Sequence, residues 1–317
     1  MKNNIFTLLP VCLILFFLTG CKSGSVLQSP PGETVTRSFP QFLLEGHRGA
    51  SSIRPENTIP AMIKAIEDGA NVIELDVHIS KDNQVVVTHD SKLNRSITLT
   101  PEGEEISEGD SENFIIYQMN YSDIRKYDVG SKFYSRFPEK KSTKAYIPLL
   151  GELIDSVERF TAENNYPPVI YNIEIKATPG QDGNYQPAAP EFIDLVMEVV
   201  NQKKLGYDRF YLQSFDLPLL RQINRKYPFV VTGFLTGNRD ISLEENLNQL
   251  GFSPQIYSPN SGLVTPELIA KSHAAGMKFV PWTVNESGDM EKFIKMGVDG
   301  IITDYPDRLN KVLQSLN

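Results

Sequence analysis

Two histidines, three carboxylates and two cations fall at or near the ends of short apolar runs in this chain. Together they could move protons, hold a metal ion and neutralise an anion. His47 and Arg48 follow FLLEG (42–46), Glu74 and Asp76 alternate within VIELDVHI (72–79), and His89 closes QVVVTH (84–89). Glu174 and Lys176 alternate in the same way within VIYNIEIK (169–176). Residues two apart on a strand share a face, so each of these pairs points one way. Imidazole titrates near neutral pH and suits general acid and base work. Carboxylate oxygens suit a hard divalent cation, Ca²⁺ or Mg²⁺, whereas zinc is more often held by His or Cys. The same acids admit a plainer reading, a salt bridge such as Glu74 with Lys176, because a buried charge is costly without a partner or a metal. His78 and His273 stand outside any motif and read as structural.

The elements that must position these groups alternate. Apolar runs at 42–46, 72–79, 84–89, 169–176, 209–215, 229–235, 255–258, 278–284 and 300–303 read as strands. Amphipathic stretches at 58–68, 149–163, 190–203, 217–226, 243–250, 266–275 and 287–296 read as helices. Such alternation predicts repeated β-α units around a parallel sheet. The simplest container is an α/β fold of the (β/α)8 barrel type, with one surplus strand to be placed. An open doubly wound sheet is the competing architecture, but the chain lacks the glycine-rich first turn that accompanies it. In a barrel, catalytic groups sit at the carboxyl ends of strands, where the suspicious residues fall. Residues 91–147 break the alternation and are too long for an ordinary loop.

HRGASSIRPENT (47–58), ELDV (74–77), VVVTHD (85–90), NIEIK (172–176), QSF (213–215), WTVN (282–285) and ITDYP (302–306) are together specific. The chain resembles the glycerophosphodiester phosphodiesterase family over about residues 44–309. That resemblance implies a metal-dependent hydrolase that splits glycerophosphodiesters into sn-glycerol 3-phosphate and an alcohol. It implies Glu74, Asp76 and Glu174 as metal ligands, His47 and His89 as acid and base, and Arg48 and Lys176 as charge-neutralising groups at the phosphate. It also implies Phe215 and Trp282 as walls of the substrate pocket, and an insertion beside the active site. Asn57 reads as a helix cap, Glu56 as a partner for Arg48 or the metal, and Asp304 as a tie between a strand end and the next helix. Three positions depart from the family pattern: Pro60 and Asn83, both tolerable for the backbone, and Lys132, which would alter a substrate wall.

The first twenty residues read as a targeting segment rather than fold: Lys2 precedes an apolar run at 5–18, and Leu18-Thr19-Gly20 leads into Cys21. This resembles a bacterial lipoprotein signal, with Cys21 as the lipidation site. It implies a cell-envelope enzyme tied by its lipid to a bacterial membrane, on the periplasmic or the surface face. A spanning anchor and an ordinary secretory signal are the competing readings, and the apolar run is short for the first. Residues 21–40, rich in Ser, Gly and Pro, read as a flexible tether, leaving 41–317 for the barrel. Cys12 lies within the signal, so no disulfide is expected.

A formal net charge of -8 and the absence of a Lys/Arg cluster argue against a nucleic-acid partner. Two further functions compete. One keeps the chemistry but acts on intact lipids, as phospholipase-type relatives do; those relatives generally lack an insertion like 91–147. The other is a silent lipoprotein that only binds phosphorylated ligands, which would have no use for paired imidazoles beside a metal.

Overall fold

The computed structural model describes residues 39–110 and 113–316. The expected targeting segment, Cys21 and all but the last two residues of the expected tether lie outside them. Among the described residues no helix is long and apolar enough to cross a membrane.

Eight strands run parallel: β1 (Leu43–Gly46), β2 (Val72–Ile79), β4 (Ile170–Ile175), β5 (Phe210–Ser214), β6 (Val231–Thr236), β7 (Ile256–Pro259), β8 (Lys278–Phe279) and β9 (Gly300–Thr303). The sheet order is β8-β7-β6-β5-β4-β2-β1-β9. Backbone bonds from Asp299 N to the Phe279 carbonyl (2.9 Å) and from Ile302 N to the Pro281 carbonyl (3.0 Å) join the two ends into a barrel. One apolar side chain from each stave, from Leu43 through Tyr211 and Val280 to Ile302, joins a cluster inside the barrel. The larger core lies outside the sheet, under the helices. Both strand faces are therefore covered, which is why these runs read as continuously apolar.

The surplus strand is β3 (Val85–Val87), which pairs antiparallel with β2. The expected strand at 84–89 is thus a hairpin arm and not a stave. The expected strand at 278–284 is regular only as β8, yet Val280 N and Trp282 N still donate to the Tyr257 and Pro259 carbonyls.

Helices α1 (Ile59–Glu67), α3 (Leu150–Glu163), α4 (Ala189–Gln202), α5 (Leu217–Lys226), α6 (Leu243–Leu250), α7 (Pro266–Ala274), α8 (Ser287–Met296) and α9 (Pro306–Leu316) follow the strands. In α3 the buried set Leu150, Leu153, Ile154, Val157 and Thr161 follows the helical period. Asp216, Ser242 and Thr265 accept from the third residue of α5, α6 and α7 and so start them. Pro60 occupies the first turn of α1, and Asn83 takes φ 58°, as their residue types allow.

Between β3 and α3 the chain builds the insertion, whose regular elements among the described residues include a short 3₁₀ turn and α2 (Tyr121–Ile124). It has its own small core of Leu93, Ile106, Ile116, Ile124 and Val129, closed on Val86 and Ile147. Lys132, expected beside substrate, turns into this subdomain: its Nζ donates to the Arg95 carbonyl (2.7 Å) and faces Glu105 at 3.3 Å.

Candidate active site

The acid cluster is a product of sheet register. Glu74 and Asp76 share the inward face of β2, and the parallel pairing with β4 sets Glu174 directly beside Asp76. Ligand oxygens of all three approach within 4.8 Å of one another, with every residue buried. Burial pushes the Glu74 carboxyl well above its ordinary value, and the neighbouring Asp76 and Glu174 charges push it further. Glu174 is raised by burial too, against the pull of Lys176. Asp76 goes the other way: burial alone would raise it, but Lys176, Arg48 and His89 hold it well below the usual carboxylate range. Three desolvated carboxylates with two facing cations leave negative charge that a hard divalent cation fits. The plainer reading also has its share, since Lys176 Nζ lies 2.7 Å from Glu174 and 3.6 Å from Asp76. Lys176 thus pairs with these two acids rather than with Glu74, the example that reading offered.

The turn after β1 explains the His-Arg-Gly sequence. Arg48 sits at φ 52° and Gly49 at φ 78°. A Cβ on Gly49 would come within 2.5 Å of the Ala61 backbone, so glycine is required where the turn meets α1. In this conformation Arg48 N donates to Glu74 (2.8 Å) while its guanidinium donates to Glu56 (2.7 Å) and faces Asp76 at 3.4 Å.

Asn57 is not the cap of α1; Thr58 holds that place. Asn57 takes φ 57° and clamps Asp76 instead, its Nδ2 donating to Oδ2 (2.8 Å) and its Oδ1 accepting from Asp76 N (3.1 Å).

Each histidine has a carboxylate partner. His47 donates from Nδ1 to Asp304 (2.6 Å), and Asp304 also accepts from Ser51 (2.8 Å) and Asn285 (2.7 Å). The expected role of Asp304 as a mere tie to the next helix is therefore corrected: it orients His47. Burial alone would raise its carboxyl, but His47, Asn285 and Ser51 hold it far below the usual range.

His89 donates from Nδ1 to Asp90 (2.8 Å), and its carbonyl accepts from His78 (3.0 Å). It does not end a stave as expected; it arrives on the returning arm of the hairpin, where Thr88 N donates to the Asp76 carbonyl (3.0 Å). His78 is structural, buried and pushed down to about 4 by desolvation. His273 is structural as well, paired on the surface with Asp299 at 2.8 Å.

A cavity of about 320 Å³ gathers His47, Arg48, Glu74, His89, Glu174, Lys176, Phe215 and Trp282. Every site residue expected on the barrel thus meets at one place, Asp76 joining through the acid cluster. The Phe215 and Trp282 rings meet edge to face, 5.4 Å apart, as one wall. Sequence reasoning missed Arg136, which reaches the cavity from the insertion and stands 3.5 Å from Asp304. It also missed Glu45, sealed in the barrel with the Tyr211 hydroxyl (2.7 Å) and Asn172 (2.9 Å). Glu45 carried a signal, an acid in an apolar strand; Arg136 carried none.

Breaking a phosphate ester between two carbon arms calls for an anion-tolerant centre with proton carriers on its rim, and this cavity has both in Arg48, Lys176, His47 and His89. The family model described as the glycerophosphoryl diester phosphodiesterase family matches residues 47–308, and the chain belongs to that family. A glycerophosphodiester phosphodiesterase of Caldanaerobacter subterraneus is 32% identical over 269 residues, spanning 84% of this chain and 96% of the relative. A Silicibacter pomeroyi structure, described as a candidate member of the same family, superposes with TM-score 0.78 at 29% identity, covering 88% of this chain and 96% of its own. An Oleispira antarctica phosphodiesterase, in complex with the product sn-glycerol-3-phosphate, shares the fold with TM-score 0.69 at 23% identity, covering 87% and 97%.

Proposed function

We propose that this enzyme hydrolyses glycerophosphodiesters to sn-glycerol 3-phosphate and an alcohol, using one divalent cation, Ca²⁺ or Mg²⁺, held by Glu74, Asp76 and Glu174. The observation that carries the reading is the β2–β4 register, which sets three buried carboxylates together below two carboxylate-paired imidazoles. The product held by the Oleispira relative supports the same reaction. Bound there, the cation would supply Lewis-acid stabilisation of phosphoryl oxygens and make a hydroxyl easier to deprotonate.

The rest is the chain's own. Arg48 and Lys176 offset the charge that grows on the phosphoryl oxygens. One imidazole accepts a proton from the attacking hydroxyl and the other donates one to the departing alkoxide. Each is fixed at Nδ1 by its aspartate, so Nε2 is the exchanging atom. Overall, water adds across the phosphorus–oxygen bond: a P–O bond forms, the bond to the alcohol breaks, and the proton leaves on the alcohol. Phe215 and Trp282 give carbon-bearing parts of the substrate an apolar wall. The insertion flanks this cavity through Arg136. Release of sn-glycerol 3-phosphate from defined diesters by wild type, His47→Ala and Glu174→Ala tests the reading. Loss of turnover in both variants is expected, and turnover retained by either would remove it.

We propose also that Cys21 carries lipid and holds the enzyme at a membrane of the cell envelope, with residues 21–40 as tether. The support is the sequence ahead of the barrel: the apolar run at 5–18 and the Leu-Thr-Gly-Cys junction. Incorporation of labelled palmitate into the full chain, abolished by Cys21→Ser, is the expected result. Equal labelling of the variant would exclude the anchor.

A further inference from the structure

A diester has two arms, and they leave phosphorus in different directions. The acid cluster is matched to that geometry by a second cavity of about 430 Å³. It shares His89, Glu174, Lys176 and Phe215 with the cavity that carries Trp282 and continues past them to Thr178, Asp90 and Asp216. The two spaces therefore meet at the reacting centre. Beyond the shared residues, the first adds Trp282 and Leu235, and the second adds Asp90, Asp216 and Thr178 beside Ala177 and Pro179.

We propose that the second cavity seats the departing alcohol and favours alcohols that carry a positive charge, such as choline and ethanolamine. This rests on the hydrolase reading above and specifies one of its substrates' arms. Asp216 carries the argument. It is only 7% exposed, and its Oδ1 accepts from Leu219 N (2.7 Å) to start α5. Its second oxygen has no hydrogen-bond partner among the described residues, although the side chain lines the cavity.

The nearby cations make no hydrogen bond to Asp216. Lys176 is paired with Glu174 and Asp76, and the Arg221 guanidinium donates to the Gln249 carbonyl (2.7 Å). Burial raises the Asp216 carboxyl and the Asp182 charge adds to that, against the Leu219 N–H and the more distant Arg221 charge, which offset it only in part. Asp90 adds a second carboxylate, turned by its bonds to His89 and Asn94. An ammonium entering this space supplies the missing countercharge. Phe215, 43% exposed, lies between the two cavities, with the Lys176 ammonium 5.9 Å from its ring centroid. A glycerol or inositol arm brings hydroxyl donors to the same Asp216 oxygen but no countercharge.

The test compares kcat/KM for glycerophosphocholine and glycerophosphoglycerol in metal-loaded wild type and Asp216→Asn. Asparagine keeps the cap, since its side-chain oxygen also accepts from Leu219 N. Wild type is expected to prefer the choline diester, and the variant to shrink the choline-to-glycerol ratio by about tenfold, mainly through KM. Free choline should also inhibit wild type competitively, and the variant less. A ratio unmoved by the substitution, or a wild type that does not prefer the cationic arm, would overturn the subsite and leave the hydrolase standing. Absence of turnover with both diesters would overturn the function and the subsite together.

Discussion

His47 donates from Nδ1 to Asp304 across 2.6 Å, so the ends of the first and last strands of the barrel are locked by one side-chain pair. The partners are 257 residues apart in sequence, and the parallel pairing of β9 with β1 brings them together. Asp304→Asn keeps the size but loses the charge that fixes the tautomer. Its kcat is expected to fall by about a hundredfold to ten-thousandfold, by analogy with other His–Asp pairs. KM and thermal midpoint should stay near wild type, which steady-state kinetics and calorimetric scanning would check.

Asn57 holds Asp76 through both ends of its amide. Asn57→Ala frees that carboxylate and is expected to weaken metal binding by about ten- to a hundredfold, as loss of a group that orients a ligand commonly does. Calorimetric titration of Mn²⁺, as a spectroscopically convenient divalent ion, into chelator-treated protein measures this. Recovery of most of kcat at saturating metal would separate weak binding from lost chemistry.

Glu74 is pushed above its ordinary value by burial and by the Asp76 and Glu174 charges. The metal-free enzyme then holds a proton that the cation must displace. Affinity should therefore rise with pH until Glu74 is ionised without metal, and binding should release protons. Titrations in buffers of different ionisation enthalpy would show the release; an affinity flat between pH 5 and 8 would contradict it.

Glu45 is fully buried and raised from 4.5 to about 7, chiefly by desolvation, with Tyr211 and Asn172 opposing. A raised carboxyl favours folding while protonated. That contribution is complete below pH 4.5 and is lost as pH rises through about 7. At 1.36 kcal/mol per pH unit the difference is about 3 kcal/mol. Glu45→Gln removes the dependence, and a glutamine amide can also donate to Asn172 Oδ1, which has no partner. Urea unfolding should find the variant more stable than wild type at pH 8 and little different at pH 4.

The acid cluster was legible because it is local. A period of two within VIELDVHI and NIEIK states which side chains share a face, and burial on both sides marks the strands as parallel. Strand direction is not written locally, so Val85–Val87 looked like a stave and His89 like its end. Asp304 was misjudged for a related reason: its partner lies across the β1–β9 pairing, which joins the first and last strands of the chain. Asn57 had the residue type of a cap, but its φ of 57° turns the amide to Asp76, and no propensity reports that. Arg136 belongs to an insertion without strong periodicity, where position comes from packing rather than from pattern.

Metal-dependent cleavage is the centre of this account, and ³¹P NMR of glycerophosphocholine with the enzyme tests it most directly. Chelator should stop the appearance of sn-glycerol 3-phosphate, and Ca²⁺ or Mg²⁺ in excess should restore it in wild type but not in Glu174→Ala. Undiminished turnover after exhaustive chelation, or full restoration in the variant, would contradict the role given to Glu74, Asp76 and Glu174.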